Sequence, residues 1–314
     1  MSNSLYLAAL AVAAIDGLEA VSTRPPFVNT DDYVSGGVLD AHGRHWMVKC
    51  PKNSHAATII EAEAALAPNL LQELRRGNLP FDILRPAGFV HAATGGRAVV
   101  CPQPFGTAID WEDIGRDQAR EIGRVIASIH SLSHDVVADA GLPVYSATDW
   151  RMRLFTELTD VDEASSLPLN LLERWEDALE KSSNWKFEPT VVHGDIDAEN
   201  FLWSDGGIAT VTGFGEAKVA DPAMDLAPFL SLEEDVYAAV IDAYEHTRGA
   251  GIDDAVALLG DVTQAAHGLS LTVERGAVGD LSVPQGHVGQ GLLIVDRGDG
   301  QGGLVGGGFA ERAR

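Results

Sequence analysis

The hydrophobic period changes once along this chain, at Pro102-Gln103-Pro104-Phe105-Gly106, and that change limits the folds open to it. Upstream, apolar and polar residues alternate in short runs bounded by turn formers, as antiparallel strands require. Downstream, apolar residues recur at helical spacing over long stretches. Two prolines make the junction a stiff connector, suited to a lobe boundary. An α+β chain of two lobes follows, and 314 residues suit two packed units better than one.

Between Val34 and Pro51, breaks at Gly36-Gly37 and at Asp40-Ala41-His42-Gly43 predict a hairpin. Ala56 to Leu74 then reads as a helix that stops near Arg76-Gly77-Asn78. Ile83 to Val90 and Arg97 to Cys101 read as further strands, and Gln118 to Leu132, Trp150 to Leu158 and Leu169 to Lys181 as helices. The division expected is residues 1–104 for a nucleotide-binding lobe, 105–275 for a helical lobe, and 276–314 for a Gly-rich, flexible tail.

Forty-six acidic against 22 basic residues, a formal charge of −24, would repel phosphate backbones and anionic membranes, so neither nucleic acid nor membrane is an expected partner. Solubility and attraction of a cationic substrate both account for the acidity. Cys50 and Cys101 lie in apolar strand-like runs and read as buried free thiols of a reducing, cytoplasmic protein. Leu5 to Ile15 lacks a basic leader and reads as a helix, with a signal peptide as the alternative. No run approaches the length of a membrane span.

The stretch Val191-Val192-His193-Gly194-Asp195-Ile196-Asp197-Ala198-Glu199-Asn200 carries the chemistry. It supplies the fixed letters of H-x-D-x-x-x-x-N, in which the Asp takes the proton of an attacking hydroxyl and the Asn binds Mg²⁺ on the nucleotide phosphates. A polar turn whose Asp and Asn merely bond the backbone is the competing reading. Two short apolar runs, Phe201 to Trp203 and Ile208 to Val211, predict a hairpin, after which comes Gly213-Phe214-Gly215-Glu216-Ala217-Lys218-Val219-Ala220-Asp221-Pro222-Ala223-Met224-Asp225.

That last segment resembles the aminoglycoside phosphotransferase superfamily, and within it the macrolide 2'-phosphotransferases. Trp46 to Lys52, Leu79-Pro80-Phe81, Arg174-Trp175 and Trp185 extend the resemblance, which runs from about Val28 to Gly279. It implies a protein-kinase-like fold: an antiparallel sheet plus a helix in the first lobe, and a mostly helical second lobe. It implies a monomer that moves the γ-phosphate of GTP or ATP, with Mg²⁺, to the 2'-hydroxyl of a macrolide amino sugar, conferring antibiotic resistance.

By the same resemblance Asp195 is the catalytic base and Lys49 contacts the phosphates. Glu63 pairs with Lys49, Glu61 being its rival, while Pro102 and Gln103 border the purine through backbone groups. His193 supports the loop. Asp225 accepts hydrogen bonds from it, though for Asp221 and Asp225 helix capping is equally open. Asp197, Glu233, Tyr237 and Glu274 are the candidates for contact with a cationic substrate, with Tyr244 among the apolar panels.

One position departs from the family: Gly213 stands where its relatives carry a metal-binding Asp, and glycine offers no carboxylate. Either Glu216 or Asp197 reaches the metal instead, or the protein binds without efficient turnover. An aminoglycoside or other small-alcohol kinase, or a pseudokinase-type nucleotide- or ligand-binding module, are the alternatives.

Overall fold

The computed structural model describes residues 3–93, 95–165 and 169–249, so Glu274 and the Gly-rich tail lie outside the described residues. Helix α1 (Asn3–Ala14) leads into strands β1 (Ala20–Asn29), β2 (Tyr33–Asp40) and β3 (His45–Pro51), then helix α2 (Ser54–Arg76). Short strands β4 (Asp82–Ile83), β5 (Gly88–His91) and β6 (Arg97–Pro102) follow. An antiparallel sheet in the order β1-β2-β3-β6-β5 results.

Strand alternation divides this sheet between two helices. Val48, Cys50, Ala98 and Val100 pack with Leu7, Leu10 and Ala11 of α1. Val99 and Cys101 turn to the other face, against Ile60 of α2. The two free, buried cysteines therefore lie on opposite faces.

Two details differ from the sequence reading. Strand β1 contains Pro25 and Pro26, and its register with β2 shifts between Arg24 and Val28. The single strand expected over Ile83 to Val90 is two, in different sheets, because Pro86 between them has no N–H to give a ladder.

Helix α2 begins where Asn53 Oδ1 accepts the Ala56 N–H (2.8 Å) and ends at the left-handed Gly77. It serves both cores: Ile60 faces the first sheet, whereas Leu66, Ala67 and Leu70 belong to the large core of the helical part. Strand β4 likewise pairs with a strand of the later chain. The first part is thus keyed into the second before the connector is reached.

After the connector come β7 (Thr107–Ala108), α3 (Arg116–His130), α4 (Asp135–Ala138), α5 (Ala147–Ser165) and α6 (Leu169–Glu180). Strands β8 (Thr190–Val192), β9 (Phe201–Ser204), β10 (Gly207–Val211) and β11 (Lys218–Ala220), with α7 (Ala223–Leu226) and α8 (Glu234–Arg248), complete the described chain. Helices α3 and α8 pack so closely that a Cβ on Gly123 would lie 2.2 Å from the Val240 carbonyl oxygen. Among the described residues, no helix is long and apolar enough to cross a membrane.

Candidate active site

Two loops meet because the strands that carry them pair. Strand β8 runs antiparallel to β11, so the loop leaving Val192 emerges beside the loop that enters Lys218. The β9–β10 hairpin fills the chain between them. Gly194 touches the second loop: at φ +85°, a Cβ there would sit 2.3 Å from the Glu216 carbonyl oxygen. Only glycine permits both that backbone and that approach.

Within the first loop, Asn200 Nδ2 donates to the Asp195 carbonyl (2.9 Å), closing the five-residue span between the two candidate residues. Asn200 Oδ1 accepts from the Thr212 hydroxyl (3.1 Å), and the Thr212 N–H donates to the Asn200 carbonyl (2.9 Å). Asp195 opens to solvent. Enclosure by protein nevertheless raises its pKa, with the neighbouring His193 ring and the Lys49 charge opposing the rise and the charges of Asp197 and Glu216 adding to it. A carboxyl so placed takes up a proton more readily than a free one.

His193 is fully buried and braces the loop. Its Nε2 bonds the Thr212 carbonyl (2.7 Å) and its Nδ1 accepts the Asp195 N–H (3.3 Å), so the neutral Nε2–H tautomer satisfies both. The ring lies 4.5 Å from that of Phe214. Asp225, also fully buried, accepts the N–H groups of His193 (2.6 Å) and Gly194 (2.9 Å), and His130 Nε2 lies 3.0 Å from the same carboxylate. Burial would raise the Asp225 pKa, but the His130 hydrogen bond, the neighbouring His130 and His193 rings and the Gly194 N–H hold it below the usual carboxylate value. Asp221 does cap α7, through Oδ1 and the Ala223 N–H (2.9 Å), while its buried Oδ2 has no partner. Burial lifts its pKa to about 7.

Glu63 is the inward carboxylate of α2, and Glu61 pairs with Arg97 at the surface. The expected Lys49–Glu63 ion pair does not form. Glu63 Oε1 instead accepts the N–H groups of Gly213 (2.8 Å) and Phe214 (3.2 Å), and Lys49 Nζ sits over the Tyr33 ring, 4.3 Å from its centroid. Both charges still act on the Cys101 thiol, which burial pushes up to about 12. Tyr33, which sequence reasoning passed over, has its pKa raised to about 12 by burial and by Glu199, Asp195, Asp32 and Asp197. Tyr33 thus holds Lys49 over its ring and feels the carboxylates of the 195–199 loop.

Other expected residues are already engaged. Asp197 Oδ1 accepts the Glu199 N–H (2.9 Å), and Glu216 Oε2 lies 3.3 Å from Lys218 Nζ. The Gln103 N–H is taken by the His45 carbonyl (2.9 Å), which leaves fewer connector groups for a purine than expected. Glu233 is exposed at the start of α8, and Tyr237 packs half-buried on the main core. Tyr244, expected as a cleft panel, is instead buried in the main core, where its hydroxyl lies 2.8 Å from His130 Nδ1. No sequence signal marked His130, which reads only as the last apolar-face residue of α3.

The site residues do not fit a metal held as in the family. Gly213 has no carboxylate, and a Cβ added there would lie 2.5 Å from Asn200 Oδ1, so the Asn200 amide fills that space. Among the described residues, no group of three or more His, Cys, Asp or Glu side chains is disposed to hold a metal.

A sheet-bearing part, a helical part and an Asp–Asn loop at the end of a strand together define a kinase-like phosphotransferase. Residues 38–259 match the phosphotransferase enzyme family (APH), and the chain belongs to it. Solved structures with this fold include the macrolide 2'-phosphotransferase MphH from Brachybacterium faecium, 20% identical, covering 84% of this chain and 91% of that one, with a TM-score of 0.68. Macrolide 2'-phosphotransferase type I is 21% identical over 88% and 92%, with a TM-score of 0.69. The GDP and kanamycin complex of APH(2")-IIia is 17% identical over 86% and 91%, with a TM-score of 0.67. The uncharacterized protein YcbJ of Bacillus subtilis (strain 168) is 23% identical over 226 residues, which is 67% of this chain and 71% of that protein.

Proposed function

We propose that this chain moves the γ-phosphate of GTP or ATP to a hydroxyl of a macrolide, on the amino sugar's 2' position, and does so slowly. The observation that carries this reading is the closed Asp195–Asn200 loop, held by Asp225 beneath it. Asp195 takes the hydroxyl proton as the acceptor oxygen bonds to the γ-phosphorus; the bond to the bridging oxygen breaks and the nucleoside diphosphate leaves. Lys49 neutralises phosphate charge once it leaves the Tyr33 ring. The protein works as a cytoplasmic monomer in this reading, and the product is an inactivated antibiotic.

Slowness follows from Gly213. Losing one electrostatic stabiliser of a transition state typically costs on the order of 10² to 10³ in rate. Glu216 offers little relief while Lys218 neutralises it. Gly213 and the Asn200 amide packed against it also favour a second reading, a nucleotide- or ligand-binding module without turnover. Erythromycin, kanamycin and buffer alone, each with γ-labelled GTP or ATP, separate the readings. Label on erythromycin supports the first; nucleotide binding that is indifferent to Mg²⁺, with no labelled product, supports the second.

A further inference from the structure

We propose that His130 and Tyr244 form a buried positioning relay through which helix α8 sets the catalytic loop. The relay rests on the phosphotransferase reading above and adds two residues to it. Its path is short and closed: Tyr244 hydroxyl to His130 Nδ1 (2.8 Å), His130 Nε2 to Asp225 Oδ2 (3.0 Å), Asp225 to the N–H groups of His193 (2.6 Å) and Gly194 (2.9 Å). Asp195 is the next residue.

Among the described residues, His130 supplies the one side-chain hydrogen bond that Asp225 receives; its other two come from backbone. A fully buried carboxylate needs such a donor, since losing it exposes the charge to an apolar surround. Donation requires a hydrogen on Nε2. In neutral histidine that leaves Nδ1 bare, and the Tyr244 O–H satisfies it; the other tautomer would set the Nε2 lone pair against the carboxylate. Tyr244 thus selects the state of His130 that holds Asp225.

The relay has no slack. Tyr244 and His130 are both buried, and Gly123 lets α8 lie directly on α3. Arg248 Nη1 donates to the His130 carbonyl, tying the same helix end a second time. A shift of α8, whose first residue, Glu234, is exposed, therefore reaches Asp195 through three side chains. The partners lie 114 and 95 residues apart in sequence, so they meet only in the fold.

The test uses the full chain with His130→Leu, His130→Gln and Tyr244→Phe. Transfer kinetics with GTP and erythromycin, melting temperature and amide exchange at His193 and Gly194 are read for each. In His130→Leu we expect kcat to fall about ten- to a hundredfold with the nucleotide KM nearly unchanged, and Gly194 protection to drop. His130→Gln, whose amide can still donate to Asp225, should recover most of both, and Tyr244→Phe should fall between. Unchanged kcat and protection in His130→Leu would overturn the relay, as would a His130→Gln no better than His130→Leu. If the wild type transfers no phosphate, the functional reading fails alone. Exchange then decides the relay: lost Gly194 protection in His130→Leu upholds it, and retained protection refutes it.

Discussion

Replacing Gly213 separates backbone geometry from metal chemistry. The residue sits at φ +85°, and a Cβ there would meet Asn200 Oδ1, Cγ and Nδ2 at 2.5, 2.6 and 2.6 Å. An alanine bears about 1–2 kcal/mol for the left-handed conformation. It also dislodges an amide that makes two hydrogen bonds, each worth about 1 kcal/mol. Gly213→Ala should therefore lose about 3–4 kcal/mol, a fall of roughly 6–16 °C in melting temperature for a unit of this size. Gly213→Asp meets the same crowding, but Asp tolerates this backbone better and brings a carboxylate beside Asn200. Its phosphoryl transfer to erythromycin should rise at least about tenfold, part of the factor such a group supplies. Differential scanning fluorimetry and a labelled-GTP assay read the two effects. A Gly213→Ala protein as stable as the wild type would contradict the close approach, and a Gly213→Asp protein with unimproved transfer would show that the missing carboxylate does not limit the rate.

Asp195→Asn should lower kcat by about 10² to 10⁴ while nucleotide affinity, read by isothermal titration, stays within a few fold. Glu63→Leu should destabilise by about 2–4 kcal/mol, because it orphans the N–H groups of Gly213 and Phe214. Glu61→Leu removes only a part-exposed pair with Arg97 and should cost under about 1 kcal/mol in the same denaturant titration. Asp221 has a folded pKa of about 7 against an ordinary 3.8, so the folded state holds the extra proton and this residue's contribution to stability declines as pH rises from about 4 to 7. Asp221→Asn should flatten that decline, worth on the order of 4 kcal/mol in all, of which about 3 kcal/mol falls between melts at pH 5 and pH 8.

The parts legible in sequence are those whose chemistry is local. His193, Asp195 and Asn200 lie within eight residues, and their loop closes on itself through one hydrogen bond. Helix α2 announces its end with Gly77, and α3 and α6 lie within two residues of their expected bounds. What periodicity could not supply is pairing across the fold. Whether Glu63 would meet Lys49 or the Gly213 backbone depends on where α2 settles between two cores. Likewise Tyr33, His130 and Tyr244 look like ordinary strand or helix residues until the sheet and α8 are in place. Pro25 and Pro26 hid β1, since proline argues against a strand unless a bulge absorbs it.

The central claim is that Asp195 and Asn200 face a nucleotide's terminal phosphate. A crystal structure of the chain with a non-hydrolysable GTP analogue measures this directly. The expected result is a γ-phosphate beside the 195–200 loop, with Lys49 drawn off Tyr33 onto the phosphates. An analogue whose triphosphate lies away from that loop, with Lys49 still over Tyr33, would contradict it.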